Sequence, residues 1–256
     1  MTTMWPGRLA LAVWRRNFLS WRRYMVSFIV SALGGPIFYL VAIGYGVGRY
    51  VGTLEGVSYA EFLAPGLVAT AAMNSASFEA TFGAYTRLAE QDTYTAVLAT
   101  PCSVADLVAG DVLWAATKAV LGVSLVLVVT VALGLMSGPL LPLLLVVGLL
   151  TGLAFGALGM MVTAVAGSYN FFEYYFTLVI SVMFVFSGVF YPLETLPAWA
   201  QRLAWFLPLT HAVRPSRQLA AGGLDWVGMM DLLWLAVVTV GAFWLAERWV
   251  RQRLLQ

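Results

Sequence analysis

The sequence predicts an all-α integral membrane protein with six transmembrane helices, an expectation that rests on composition, span length and loop size. Of 256 residues, 61% are hydrophobic and only 10% charged, against about 25% charged in an ordinary soluble domain. No single soluble core at this length absorbs so much apolar surface. Six apolar stretches approach the roughly 20 residues that one bilayer crossing needs. They cover about 25–47, 63–83, 107–135, 140–166, 171–190 and 227–247. Little lies between them, so 1–256 reads as one transmembrane domain. The net charge of +2 makes no case for nucleic acid. The lone Cys102 allows neither an intramolecular disulfide nor a paired-thiolate metal site.

Ahead of the first span lies RLALAVWRRNFLSWRRYM. Trp14, Phe18, Trp21 and Met25 recur at i, i+4, i+7 and i+11, one face of a helix. Arg15 with Arg22, and Arg16 with Arg23, take the neighbouring face. The pattern predicts an interfacial helix within 1–24, its aromatics in the headgroup layer and its guanidinium groups toward anionic lipid. An Arg-rich retention signal is the alternative. No small-residue cleavage site follows the first apolar run, so the segment does not read as a cleaved signal.

Within span one, Gly34-Gly35-Pro36 predicts a kink or break, because proline removes a backbone donor. GRYVGTLEGVSYAEF then reads as a short polar turn. Span two opens at Pro65-Gly66 and is lined with Ala69, Ala71, Ala72 and Ala76, which let another helix approach closely. Span three carries Asp111 and Lys118 seven residues apart on one face, spaced to pair at the cytosolic mouth; snorkelling by Lys118 is the other reading. Gly148, Gly152 and Gly156 form a packing ridge on span four. Aromatics crowd GSYNFFEYYF, as expected at a membrane interface, with Glu173 among them.

Basic residues set the orientation. With both termini cytosolic, the inner segments hold Arg8, Arg15, Arg16, Arg22, Arg23, Arg87, Arg248, Arg251 and Arg253. The outer ones hold Arg49, Arg202, Arg214 and Arg217. The outer segment 191–225 is too apolar for a solvated loop and too broken by prolines for a span. Pro197 starts a helix that Pro208 stops, with Trp199, Leu203, Phe206 and Leu207 on one apolar face. A second short helix runs to Ala221, ended by Gly222-Gly223. Such a pair would dip into the outer leaflet as a re-entrant segment. His211, the only histidine, has no partner for nucleophilic or metal chemistry and reads as a hydrogen-bonding group.

The cytosolic loop 84–106 is the most informative stretch. Asp92 can cap a short helix that Pro101 ends. Tyr94, Val97 and Leu98 lie on one face of it, an apolar patch suited to a groove on another protein. A helix lying on its own bundle is the alternative. Ser103 and Asp106 form a capping box that starts span three.

YTRLAEQDTYTAVLATPCSVADLVAGDVLWAATKA resembles the loop between spans two and three of type-2 ABC exporter permeases. FSGVFYPLETLPAWAQRLAWFLPLTHAVR is similar to their outer re-entrant segment, and EFLAPGLVA to the start of their second span. The nearest branch is the lipo-oligosaccharide exporters related to the nodulation protein NodJ. Arg214-Pro215 departs from the family pattern, which more commonly shows an acidic or aliphatic pair there. The resemblance implies a homodimer driven by two separate ABC ATPase subunits, with Asp92, Tyr94, Val97, Leu98 and Pro101 in the coupling helix. It implies a bacterial inner-membrane location and an amphipathic substrate taken up near Arg15, Arg16, Arg22 and Arg23. Tyr174, Tyr175, Phe184 and Phe190 could stack on sugar or acyl groups. The chain lacks a Walker GxxxxGK[ST] sequence, so no cofactor is expected on it; ATP and Mg would sit on the partner.

A membrane enzyme would need nucleophile and base at a common depth, and that constellation is missing. A self-powered secondary transporter would carry buried ionisable residues and an internal repeat; neither is apparent. A drug-efflux permease of the same superfamily is the rival for substrate.

Overall fold

In the computed structural model, which describes residues 7–254, α1 (Leu9–Trp21) passes through a 3₁₀ turn at Arg22–Tyr24 into α2 (Met25–Tyr39). The helix continues with π spacing over Leu40–Val47 and closes as α3 (Gly48–Val51). The break expected at Gly34-Gly35-Pro36 does not occur. Pro36 removes one donor, and the ladder widens to π spacing four residues on instead of parting. Strands β1 (Thr53–Leu54) and β2 (Val57–Ser58) then form a minimal antiparallel hairpin. Its turn residues Glu55 and Gly56 have φ of 53° and 85°, the pair of positive values that a type I′ hairpin requires.

Ser58 and Glu61 close a capping box and start α4 (Tyr59–Phe78). Helix continues through π turns at Glu79–Gly83 and Thr86–Glu90, seven residues beyond the predicted end of span two. Next come α5 (Thr93–Leu98), α6 (Val104–Ala132) and α7 (Leu144–Val165). Then α8 (Asn170–Tyr175) joins α9 (Ser181–Phe186) through a π turn, four residues short of the expected end of span five. Two short outer helices, α10 (Ala198–Phe206) and α11 (Thr210–Ala220), precede α12 (Trp226–Leu254). Their bounds agree with the proline and glycine signals, and α11 runs through Arg214-Pro215 unbroken.

Among the described residues, four helical runs are long and apolar enough to cross a membrane: Leu9–Val51, Val104–Ala132, Leu141–Val165 and Trp226–Leu254. Apart from the short hairpin, the chain is therefore a helical integral membrane protein. Val26, Val30, Val237 and Val240 face outward, as lipid-facing side chains do. α4 is the interior strut, with sixteen of its twenty residues buried. It lies against α6, α7 and α11.

The glycine ridge does what its spacing predicts. A Cβ on Gly152 would fall 2.5 Å from Ala119 Cβ and 2.8 Å from Ala116 Cα; one on Gly148 would lie 2.8 Å from Val123 Cγ2 and one on Gly156 3.1 Å from Ala115 Cβ. Because backbone blocks Gly152, Gly152→Val is expected to overpack α6 against α7 and cost about 1–3 kcal/mol. A lowered melting temperature of the detergent-solubilised protein checks it; an unchanged one would refute this packing.

One end of the bundle carries α1, α5 and the last turn of α12, where Arg253 Nη1 donates to the carbonyls of Thr163 and Ala166 at 2.7 Å and so caps α7. The other carries the hairpin, α10 and α11.

Candidate functional site

Glu79 stands where α4 changes from α to π spacing, a carboxylate with apolar helix on either side. Such a group must be paired. Its Oε1 accepts from Arg87 Nη1 at 2.7 Å, two turns on, and its Oε2 accepts from Lys118 Nζ of α6 at 2.8 Å. Arg87 Nη2 lies 3.3 Å from Oδ1 of the fully buried Asp111. That oxygen also accepts Nδ2 of Asn17 on α1 at 2.5 Å, while Oδ2 accepts the Tyr94 hydroxyl of α5. One chain of charge, Lys118–Glu79–Arg87–Asp111, thus ties α1, the α4 extension, α5 and α6.

The direct Asp111–Lys118 pairing is corrected by this arrangement. Seven residues of helix separate them by about 10.5 Å, too far for contact, and Glu79 and Arg87 from the neighbouring helix fill the gap. The expectation of no buried ionisable residues is corrected too, although these are paired rather than free. Asn17, Glu79 and Arg87 were not singled out as site residues. The available signal was an acid and a base eight residues apart in one helix.

α5 takes the alternative orientation. Tyr94 is fully buried, and Val97 and Leu98 are half-buried against the same core, so this face turns inward. Thr95, Ala96, Ala99 and Thr100 are exposed instead. Asp92 occupies the N-cap position, but in the left-handed region (φ 49°), and its side chain makes no cap bond; the expected cap is corrected. Pro101 lies in the turn after the helix, where Thr100 Oγ1 donates to the Val97 carbonyl. The Ser103–Asp106 capping box forms as expected, and Asp106 also accepts the Gly7 N–H at 2.5 Å. Burial pushes the Cys102 thiol up from its ordinary value.

α1 sits directly on α6, since a Cβ on Gly110 would lie 2.7 Å from the Ala10 carbonyl. Trp14 Nε1 donates to Thr117 Oγ1 at 2.8 Å, and the Phe18 and Trp21 rings meet Trp114 at 6.2 and 5.4 Å. The aromatic face expected in the headgroup layer is therefore the docking face of the helix. Arg15, Arg22 and Arg23 are exposed, whereas Arg16 is half-buried and donates to Asn17. A cleft of about 470 Å³ opens between Arg16, Trp21, Glu79, Arg87 and Trp114.

The four predicted substrate aromatics do not form one site. Tyr174 is exposed and Tyr175 buried. Phe184 and Phe190 pack with Tyr39 as an aromatic trio at 4.8–5.9 Å. Of the outer arginines, Arg202 faces out. Arg214 Nη1 meets both Asp231 oxygens at 3.2 Å, and Arg217 Cζ lies 3.8 Å over the Phe62 ring. His211 is buried, with Nδ1 and Nε2 each 2.6 Å from an acceptor, Asp231 Oδ1 and the Trp205 carbonyl, and its ring stacks on Trp234. Its hydrogen-bonding role is as expected. Asp225 accepts the Gly228 N–H at the start of α12, which holds its carboxyl below the usual range.

The model of the family described as ABC-2 type transporter matches residues 8–220. The chain is 40% identical over 246 residues to Nodulation protein J of Rhizobium leguminosarum bv. viciae, covering 96% of this chain and 95% of that protein. It is equally similar to Nodulation protein J of Rhizobium meliloti, over 96% and 94%. To the inner membrane transport permease YadH of Escherichia coli it is 24% identical, over 91% of each. With helices built to cross a membrane and most of its length matched, this chain belongs to the ABC-2 type transporter family, as a transport permease.

Proposed function

We propose that the protein is the permease subunit of an ATP-driven exporter that moves a lipo-oligosaccharide or similar glycolipid across the bacterial inner membrane. Two copies would pair, each with six spans counting the helices from Tyr59 and Asn170, both termini cytosolic, over two ABC ATPase subunits that supply ATP and Mg. The reading of the substrate rests on the likeness to the Nodulation protein J sequences.

The observation that carries the mechanism is the Tyr94–Asp111 contact. α5 is the coupling helix: its exposed Thr95–Ala96 and Ala99–Thr100 face meets the ATPase, and its buried Tyr94 reports the push to α1, α4 and α6. Movement of α5 cannot occur without re-pairing Asp111, so ATPase closure changes the charge network and through it the bundle.

Two variants separate docking from transmission. Ala96→Asp should lower co-purified ATPase by about tenfold or more while membrane insertion stays normal. Tyr94→Phe should keep the ATPase bound and lose transport. Full ATPase binding by Ala96→Asp would show that α5 does not dock. In reconstituted vesicles, faster export of hydrophobic drugs than of lipo-oligosaccharide would overturn the glycan reading.

A further inference from the structure

From the cleft beside α1 we infer that the protein has a binding site for the oxyanion of an amphipathic molecule, a phosphate or sulfate headgroup, held by Arg16 and Arg87. The charge balance points to it. Three cations, Arg16, Arg87 and Lys118, surround two carboxylates, Glu79 and Asp111, and both carboxylates are already spent within the network. One positive charge is left over. Guanidinium cannot shed it, since arginine stays protonated, and a buried cation without a counter-ion is costly.

The geometry says where the excess lies. Arg16 Nη1, Arg87 Nε and Arg87 Nη2 are shielded from solvent and donate to no protein acceptor. Arg87 Nη2 is near enough to Asp111 for attraction but is not aligned as a hydrogen bond. Both side chains line the same cleft. Guanidinium groups there suit oxyanions, whose spread oxygens accept from planar donors in parallel.

An amphipath also finds room for its tail. A second cleft of about 230 Å³ lies between α2 and α4, lined by Phe28, Pro36 and Phe78 together with Ser31, Asn74, Ser75 and Lys118. Trp21 borders the first cleft and stacks edge-on at 5.4 Å against Phe28 of the second. Polar head and apolar tail therefore have adjoining places along one flank. The site rests on the membrane reading of α2 but not on the ATPase scheme, and it is tested in the permease alone.

The full-length permease in neutral detergent is titrated with dioleoyl phosphatidylglycerol, a neutral galactosyl diacylglycerol and inorganic phosphate, with bound adducts counted by native mass spectrometry. Wild type should retain phosphatidylglycerol about tenfold better than Arg16→Gln does, with Arg16→Lys between them. Galactolipid should bind both forms alike and weakly. Competition by inorganic phosphate at matched concentration would show that the oxyanion alone suffices and the lipid tail adds nothing. Equal phosphatidylglycerol retention by wild type and Arg16→Gln, with the variant's elution profile unchanged, would overturn the site. A permease that holds the lipid yet binds no ATPase would sink the exporter reading and leave the site standing.

Discussion

Arg87→Met is expected to cost about 3–5 kcal/mol of fold stability, the usual toll of removing one partner from a buried ion pair. Arg87 is the link between the two carboxylates, so its loss takes from Asp111 its direct ion-pair partner, with Arg16 left only at longer range, and leaves Glu79 with Lys118 alone. The stranded charge rather than the lost contact dominates. Arg87→Met combined with Asp111→Asn should therefore recover much of the loss, because asparagine carries no charge, accepts from Asn17 through its one carbonyl oxygen and can donate its amide to the Tyr94 hydroxyl oxygen. Thermal unfolding followed by size-exclusion profile in detergent reads both. A double variant no better than Arg87→Met would mean that Arg87 acts through packing.

The second large effect is at the opposite end. Asp231→Leu removes the acceptor shared by His211 Nδ1 and Arg214 in a site where Asp231 is 4% exposed. The expected cost is again about 3–5 kcal/mol, and it should appear locally. α10 and α11 are short and hold to α12 through this cluster, so protease cleavage within 191–225 should rise before the bundle melts. His211→Phe should do less, because the ring still stacks on Trp234 and only the Trp205 carbonyl and Asp231 lose a donor. Cleavage unchanged in Asp231→Leu would show that other contacts hold the outer helices.

What the sequence reveals here is local chemistry. The Ser103-x-x-Asp106 box, the Gly148–Gly152–Gly156 ridge and the helix bounded by Pro197 and Pro208 each depend on residues within a few positions of one another, and each forms as written. The misreadings at the two amphipathic helices are matters of facing. Periodicity placed Tyr94, Val97 and Leu98 on one side of α5 and Trp14, Phe18 and Trp21 on one side of α1, correctly in both cases. It could not say that either side turns toward α6, since an apolar stripe suits a partner, a membrane or its own bundle equally. The charge network is hidden for the same reason. Glu79 and Lys118 are 39 residues apart, and only the packing of α4 on α6 brings them together.

The length of α6 sets the depth of that network. From Asp111 to Ala132 the helix rises about 32 Å, close to the roughly 30 Å of a hydrocarbon layer. With its far end at one water line, Asp111 stands at the other, while Lys118 and its partner Glu79 lie about 10 Å deeper. The charges thus descend as a staircase from the headgroups into the leaflet. Lys118 and Glu79 neutralise each other at that depth, which is what lets two charges stand inside the hydrocarbon layer.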